Sequence, residues 1–366
     1  MLEANFNSLA NSYIRNLTPY QPGKPIEEVE RELGIASAIK LASNENPLGP
    51  CPSAIVAAQE AMRKAHIYPD GGCYVLKQEL AKFLNTHAMQ LTIGNGSENV
   101  LEIIVKAYLT QGSAAVISQY AFLTIPLLIK SYGADLISVP AKNFSHDIKK
   151  MIAAVTDKTR VVFIVNPNNP TGTYTTNDDL VLLLKSIPGN VLVVLDEAYH
   201  EYIDQADYPD SLSLLKRYPN LVVVRTFSKA YGLAALRLGY AISSLEIADI
   251  LNRARLPFNV NTIASCAATA ALRDQEHIMK SVALNKQGMQ QLEESLKKLG
   301  VKYIPSLGNF ITIQVKNSAV EVYQKLLHEG VIVRPLGAYD MPNYLRVTVG
   351  TFDQNEMFLK ALQKVL

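Results

Sequence analysis

Tryptophan is absent from the 366 residues and cysteine is scarce: Cys51, Cys73 and Cys266 are scattered, with no CxxC pair. That spacing argues against a disulfide framework or a structural zinc, and it fits a reducing compartment. The six histidines show no HExxH-type spacing, so no metal site is expected. No apolar run approaches the length of a membrane span. The N-terminus, Met1-Leu-Glu-Ala-Asn-Phe6, lacks a basic stretch leading into an apolar one. A cytoplasmic location is expected. Charge of one sign is not in excess either. The net charge is +2, which gives no long-range pull toward nucleic acid or an anionic membrane. Any anion must be held locally. Internal repeats and low-complexity segments are missing.

What is present is an ordinary globular composition, 48% hydrophobic and 19% charged, in a chain long enough for a large domain plus a smaller one. Thr18 to Pro25 carries three prolines and a glycine, so an extended arm is expected up to about residue 40, with one short amphipathic helix over Ile26–Leu33. A helix with Ser53 as N-cap is expected over Ser53–Ala65, and another over Tyr74–Asn85. Strand-like and helix-like segments then alternate. Leu91 to Glu98 joins a short strand to a helix through two glycines, and Ala114–Ser118, Leu136–Val139, Arg160–Val165, Val191–Leu195, Leu221–Arg225 and Leu238–Ser243 read as strands. The segments between the earlier ones carry helical periodicity, as in Val100, Ile103, Ile104, Ala107 and Tyr108. That alternation predicts an α/β fold: a mostly parallel sheet flanked by helices, which binds ligands beyond the C-terminal ends of its strands. After Ser243 the pattern changes to helices followed by short strands, a smaller α+β domain.

Four strand ends carry candidate chemistry. Gly94-Asn-Gly-Ser-Glu98 leads into a helix N-terminus, whose free N–H groups suit an anion. It half-matches a dinucleotide fingerprint, but Asn99 stands at the third glycine position, and a plain tight turn explains it equally well. Asn166-Pro-Asn-Asn-Pro-Thr-Gly172 is a rigid polar turn, structural or ligand-lining with even weight. Asp196-Glu-Ala-Tyr199 puts a carboxylate straight after a buried strand. That is costly unless the carboxylate meets a cation, caps a helix or holds a ligand. Thr226-Phe-Ser-Lys-Ala-Tyr-Gly-Leu-Ala-Ala-Leu-Arg237 places Lys229 between two strands, with hydroxyls beside it and Arg237 eight residues beyond. A lysine able to form a Schiff base, with phosphate-holding groups around it, describes a pyridoxal phosphate site. A surface loop with a solvated lysine is the bland alternative.

In this order the motifs resemble the pyridoxal-phosphate-dependent aminotransferases of fold type I, and among them the histidinol-phosphate aminotransferases. The narrower likeness also uses Leu17-Thr-Pro-Tyr-Gln-Pro-Gly23, Leu41-Ala-Ser-Asn-Glu-Asn-Pro-Leu-Gly-Pro50, Tyr68-Pro-Asp70, Arg225 to Ala234 and Leu345-Arg-Val-Thr-Val-Gly350. These span nearly the whole chain. The resemblance implies an N-terminal arm over 1–45, a large cofactor-binding domain over 46–255 and a small domain over 256–366. It implies that Lys229 carries pyridoxal 5'-phosphate as a Schiff base and shuttles a proton. Asp196 would pair with the ring nitrogen, Asn169 and Tyr199 would bond the phenolic oxygen, and Phe122 would stack on the ring. Ser97, Glu98, Thr226, Ser228 and Arg237 would hold the phosphate, with Tyr68 reaching over from the partner of a homodimer. Arg346 would clamp the substrate anion, helped by Arg334, Tyr20 and Asn44.

The implied reaction exchanges the amino group of L-histidinol phosphate with 2-oxoglutarate, giving glutamate, in histidine biosynthesis. An aromatic amino acid aminotransferase or a pyridoxal phosphate lyase, such as a threonine-phosphate decarboxylase, would use the same residues. A non-catalytic regulator or a dehydrogenase would leave the Lys229 set unexplained. Two departures from the family pattern stand out. Ala235 replaces a usual glycine, and Ser118-Gln-Tyr-Ala-Phe-Leu-Thr-Ile125 lets Tyr120 compete with Phe122 for the stacking role.

Overall fold

The computed structural model describes residues 5–19, 21, 23–35 and 37–366; Tyr20 lies outside them. Strands in chain order are β1 (Ile39–Lys40), β2 (Leu91–Gly94), β3 (Ala114–Ser118), β4 (Asp135–Val139), β5 (Thr159–Val165), β6 (Leu192–Asp196), β7 (Leu221–Thr226) and β8 (Gly239–Ile242). They continue with β9 (Tyr303–Ile304), β10 (Phe310–Gln314), β11 (Val331–Ile332), β12 (Arg334–Pro335) and β13 (Tyr344–Thr348). Seven of them form one sheet in the order β2-β8-β7-β6-β5-β3-β4. Only β8 is reversed; it runs antiparallel to both β2 and β7. Its predecessor is a short loop rather than a crossover helix, and a loop of that length returns the chain antiparallel.

Strand burial follows the twofold alternation of side chains. Val162, Ile164, Val193, Leu195 and Val223 pack on one face with the helices Tyr74–Leu84, Asn177–Ser186 and Thr262–Arg273. Val161, Phe163, Val165, Val194, Val222 and Val224 pack on the other with the helices Ser97–Tyr108, Thr124–Ser131 and Leu245–Ala254. Both faces being covered explains why these strands read as unbroken apolar runs. The stripe on Ser97–Tyr108 is shifted: Val100, Leu101, Ile103, Ile104 and Val105 are buried, while Ala107 and Tyr108 are half-buried.

The helix expected from Ser53 runs over Pro52–Met62, and Cys51 holds its N-cap position. Pro52 at the first helical position supplies a preset φ, and its missing N–H is one the helix leaves unpaired anyway, so the helix starts there and Ser53 is already inside it. Ser53 Oγ instead lies 3.2 Å from Cys51 Sγ. The stretch from Thr262 to Leu299, largely helical in its pattern, holds two helices, Thr262–Arg273 and Gln275–Lys298, because Asp274 ends the first and caps the second through His277 N.

A second sheet, β12-β13-β10-β9, packs against the helices Ala319–His328 and Phe352–Val365. The N-terminal segment joins this body. β1 pairs parallel with β11, Leu41 is buried in its core, and Thr348 N donates to Leu41 O at 2.8 Å. Those anchors carry Ala42, Ser43 and Asn44 across to the ends of β5, β6 and β7. Among the described residues, no helix is long and apolar enough to cross a membrane.

Gly239, at the start of β8, faces the first turn of the helix Ser97–Tyr108. A methyl group there would collide with Ser97 N and Gly96 C. Overpacking against backbone costs about 1–3 kcal/mol. Gly239→Ala is therefore expected to lower the urea unfolding midpoint measurably. Gly189→Ala, where an added methyl meets nothing within 4 Å, is expected to leave the midpoint in place.

Candidate active site

The C-terminal ends of β5, β6 and β7 converge on a cavity of about 340 Å³, closed from the far side by residues of the second sheet and the N-terminal segment. Thirteen of the residues singled out in the sequence line it: Lys229, Asp196, Tyr199, Asn169, Phe122, Ser97, Glu98, Thr226, Ser228, Arg237, Arg346, Arg334 and Asn44. Tyr68 does not. It is 81% exposed and stacks on Phe258 with ring centroids 5.0 Å apart. Tyr120 is also elsewhere, packed 6.0 Å from Phe144, so the aromatic that faces the cavity from this loop is Phe122.

Lys229 follows β7, and its Nζ donates to Ser43 O at 3.0 Å. Burial, reinforced by the nearby Arg346 guanidinium, lowers its pKa to about 8. Asp196 ends β6 and is buried; one carboxylate oxygen accepts from Ala198 N at 3.2 Å. Among the described residues no Lys, Arg or His comes within ion-pairing distance of it. Burial raises its pKa to about 7. The β5 end is tied to it, since Asn166 N donates to Asp196 O at 2.8 Å.

Tyr199 is buried, and its hydroxyl accepts from Asn44 Nδ2 at 2.9 Å. Asn44 itself sits at φ +56°, a left-handed conformation that Asn tolerates better than most residues. Burial pushes the Tyr199 phenol up to about 12. Arg346 on β13 is 7% exposed and donates to Asn169 Oδ1 at 2.5 Å and to Ala42 O at 2.6 Å. Its Nε has no partner, and among the described residues no carboxylate pairs with it.

Arg237 closes the other end of the cavity. It reaches Ser228 Oγ at 3.4 Å and Glu98 Oε2 at 3.3 Å. Its backbone is left-handed, φ +56°, a strained conformation of the kind that clusters at ligand sites. Gly96 lets the guanidinium lie against the turn; a side chain there would meet Arg237 Nη2. Ser97 and Glu98 open the adjacent helix, so their N–H groups are unsatisfied by the helix itself.

Motif reading missed Ser43 and Tyr339, which also line the cavity. Ser43 contributes a backbone carbonyl, which any residue supplies, so no side-chain signal existed. Tyr339 lies in a one-turn helix, Gly337–Tyr339, that no motif marks. Tyr20 lies outside the described residues.

A family model described as aminotransferase class I and II matches residues 36–362. The chain belongs to the class I and II aminotransferases. Among its relatives, the histidinol-phosphate aminotransferase 2 of Pseudomonas fluorescens strain Pf0-1 is 52% identical over 100% of this chain and 99% of that one. A crystal structure of histidinol-phosphate aminotransferase from Sinorhizobium meliloti, in complex with pyridoxal-5'-phosphate, is 29% identical, with a TM-score of 0.90 over 98% of this chain and 97% of its own. A Thermus thermophilus aspartate aminotransferase variant, 20% identical, shares the fold at a TM-score of 0.84 over 98% of this chain and 99% of its own.

The residues of this aminotransferase fit pyridoxal phosphate. An amine stands at Lys229. A buried carboxylate without a cation, Asp196, would be satisfied by a protonated ring nitrogen. N–H donors, hydroxyls and Arg237 suit a phosphate at the other end. The lysine's lowered pKa sets a pH rule. The neutral, nucleophilic amine prevails above about 8, and the protonated form below it. In cofactor-free protein, reductive trapping of pyridoxal phosphate on Lys229 is expected to rise with pH through a midpoint near 8. A midpoint near 10.5 would refute the burial argument, and Lys229→Ala should abolish the trapping.

Proposed function

We propose that this chain is a histidinol-phosphate aminotransferase, exchanging the amino group of L-histidinol phosphate with 2-oxoglutarate in histidine biosynthesis. The observation that carries the reading is one cavity holding Lys229, the unpaired carboxylate of Asp196 and the acid-free guanidinium of Arg346. The choice of substrate follows the name of the 52% identical relative. Pyridoxal phosphate, when bound, supplies an aldehyde for amine exchange and a ring that takes up the electron pair left at the substrate Cα.

Each protein group then has a task. Asp196 would hold the ring nitrogen in its protonated form. Asn169 and Tyr199 bond the phenolic oxygen; Arg346 already occupies the Asn169 carbonyl, which leaves the amide N–H groups to donate. Phe122 covers the ring. Ser97, Glu98, Thr226, Ser228 and Arg237 hold the phosphate. The Lys229 amine, buried in the cavity, would be the group that takes the proton from the substrate Cα and returns it. A proton carrier works best with a pKa near the operating pH, and burial brings Lys229 toward it.

Arg346 serves the phosphate of the donor and a carboxylate of the acceptor in turn, in a ping-pong cycle. Arg334 and Asn44 line the same cavity, and Tyr20 is assigned to the substrate from its motif alone. The active unit is a homodimer in which the exposed Tyr68 of one copy reaches the cofactor phosphate of the other. The three cysteines, all free, suit a cytoplasmic enzyme. An arm over 1–45, a large domain over 46–255 and a small domain over 256–366 remain our division of the chain.

Single-turnover absorbance of the yellow protein tests the donor. L-Histidinol phosphate is expected to convert the cofactor to its amine form rapidly, while L-histidinol and phenylalanine do so slowly. Equal conversion by phenylalanine would make the protein a broad aromatic aminotransferase, and release of carbon dioxide from an amino-acid substrate would make it a lyase. Removing a buried, hydrogen-bonded charge partner costs about 2 kcal/mol or more, about 30-fold. Arg346→Ala is therefore expected to raise the KM of donor and acceptor alike; a rise in only one would split the shared clamp into two sites.

A further inference from the structure

Behind Asp196 and Thr226, on the side of the strands away from the cavity, lies a buried ion pair that the mechanism above does not use. Glu197 Oε2 accepts from Arg225 Nε at 2.9 Å and from Ser211 Oγ at 3.0 Å; Arg225 Nη2 lies 2.9 Å from the same oxygen and donates to Ser211 Oγ at 3.3 Å. The side chains are 0% and 5% exposed. Successive residues on a strand point to opposite faces. Glu197 therefore points back where Asp196 points forward, and Arg225 points back where Thr226 points forward.

The β6–β7 register ends at the pair Asp196↔Val224, and the last backbone bond runs from Glu197 N to Val224 O at 2.8 Å. Beyond that rung, this side-chain pair links the two strand ends directly. We infer that Glu197 and Arg225 are positioning residues: their ion pair extends the ladder by one rung and fixes Asp196 against the cofactor ring and Thr226 against its phosphate. A second effect follows from proximity. The Glu197 charge adds to burial in raising the proton affinity of Asp196. Glu98 and Lys229 act on Asp196 from the cavity side. His200, Glu201, Tyr208 and Tyr240 crowd the pair from behind.

A merely structural pair and a positioning pair predict different variants. Replacing both members of a buried pair by apolar residues is often neutral for stability. The double variant Glu197→Leu/Arg225→Met is expected to unfold in urea near the parent midpoint. Its pyridoxal phosphate Kd, read by equilibrium dialysis of the full chain, is expected to rise about tenfold or more, as when outer partners of a ligand group are lost. Glu197→Gln, which keeps the shape, is expected to move the acidic limb of the Kd–pH profile to lower pH, because Asp196 then loses its proton more readily. The Lys229 limb should stay in place.

A double variant with parental stability, Kd and pH profile would overturn the inference. If the double variant does not fold, an unchanged Kd and acidic limb in Glu197→Gln would overturn it instead. The inference rests on the assignment of Asp196 to the ring nitrogen, so Asp196→Asn is measured alongside. Parental cofactor affinity in Asp196→Asn would remove that assignment and the pair's role with it. Impaired Asp196→Asn beside unimpaired pair variants would remove the pair's role alone.

Discussion

A carboxylate buried at the end of a central strand, with no cation within pairing distance among the described residues, is the constraint that organises this molecule. Desolvating Asp196 costs several kcal/mol unless something compensates, and the protein supplies only one backbone N–H, from Ala198. The rest must come from the cavity. Around that unmet need stand the other groups: a lysine whose proton is loosened by the same burial, a phenol locked by Asn44, and a strained arginine at the opposite end. A ring bearing a protonated nitrogen at one edge and a phosphate at the other answers all of them together.

Positive charge is distributed to match. Arg237 is partly balanced by Glu98 and stays half-exposed, as suits a group that exchanges one anion for another. Arg346 is buried against Asn169 and the Ala42 carbonyl, with no acid of its own. Lys229 sits between the two arginines, and both lower its pKa, after burial. Catalytic readiness of the amine and affinity for anions thus arise from the same clustering of charge.

Much of this was legible in the chain because chemistry sits at strand ends. Apolar runs gave six of the seven large-sheet strands to within two residues at either end, and polar residues at or shortly after the ends of β5, β6 and β7 fell on the cavity. Lys229, Asp196 and Arg237 were found from residue type and place, and Asn169 through the family resemblance. Boundaries that depended on caps were less legible. Ser53 looked like a cap, but Pro52 starts that helix earlier. Asp274 splits an apparently continuous helix by serving as cap for the second half. The reversal of β8 was also not visible, because alternating apolar runs carry no sign of direction.

The sequence by itself determined the fold class, the family and the chemical types in the site, since each depends on local periodicity or on a residue's own functional group. Tertiary structure alone decided which groups share a cavity and what their charges are. Arg346 and Asn44 belong to segments far from Lys229 in the chain, and they reach the site only because the N-terminal segment pairs with β11 and joins the second sheet. It also chose Phe122 over Tyr120, and it gave Ser43 a role through its carbonyl. Proton affinities follow burial and neighbours in space, which no residue encodes alone; the same holds for the Glu197–Arg225 pair, whose partners meet only when β6 lies beside β7.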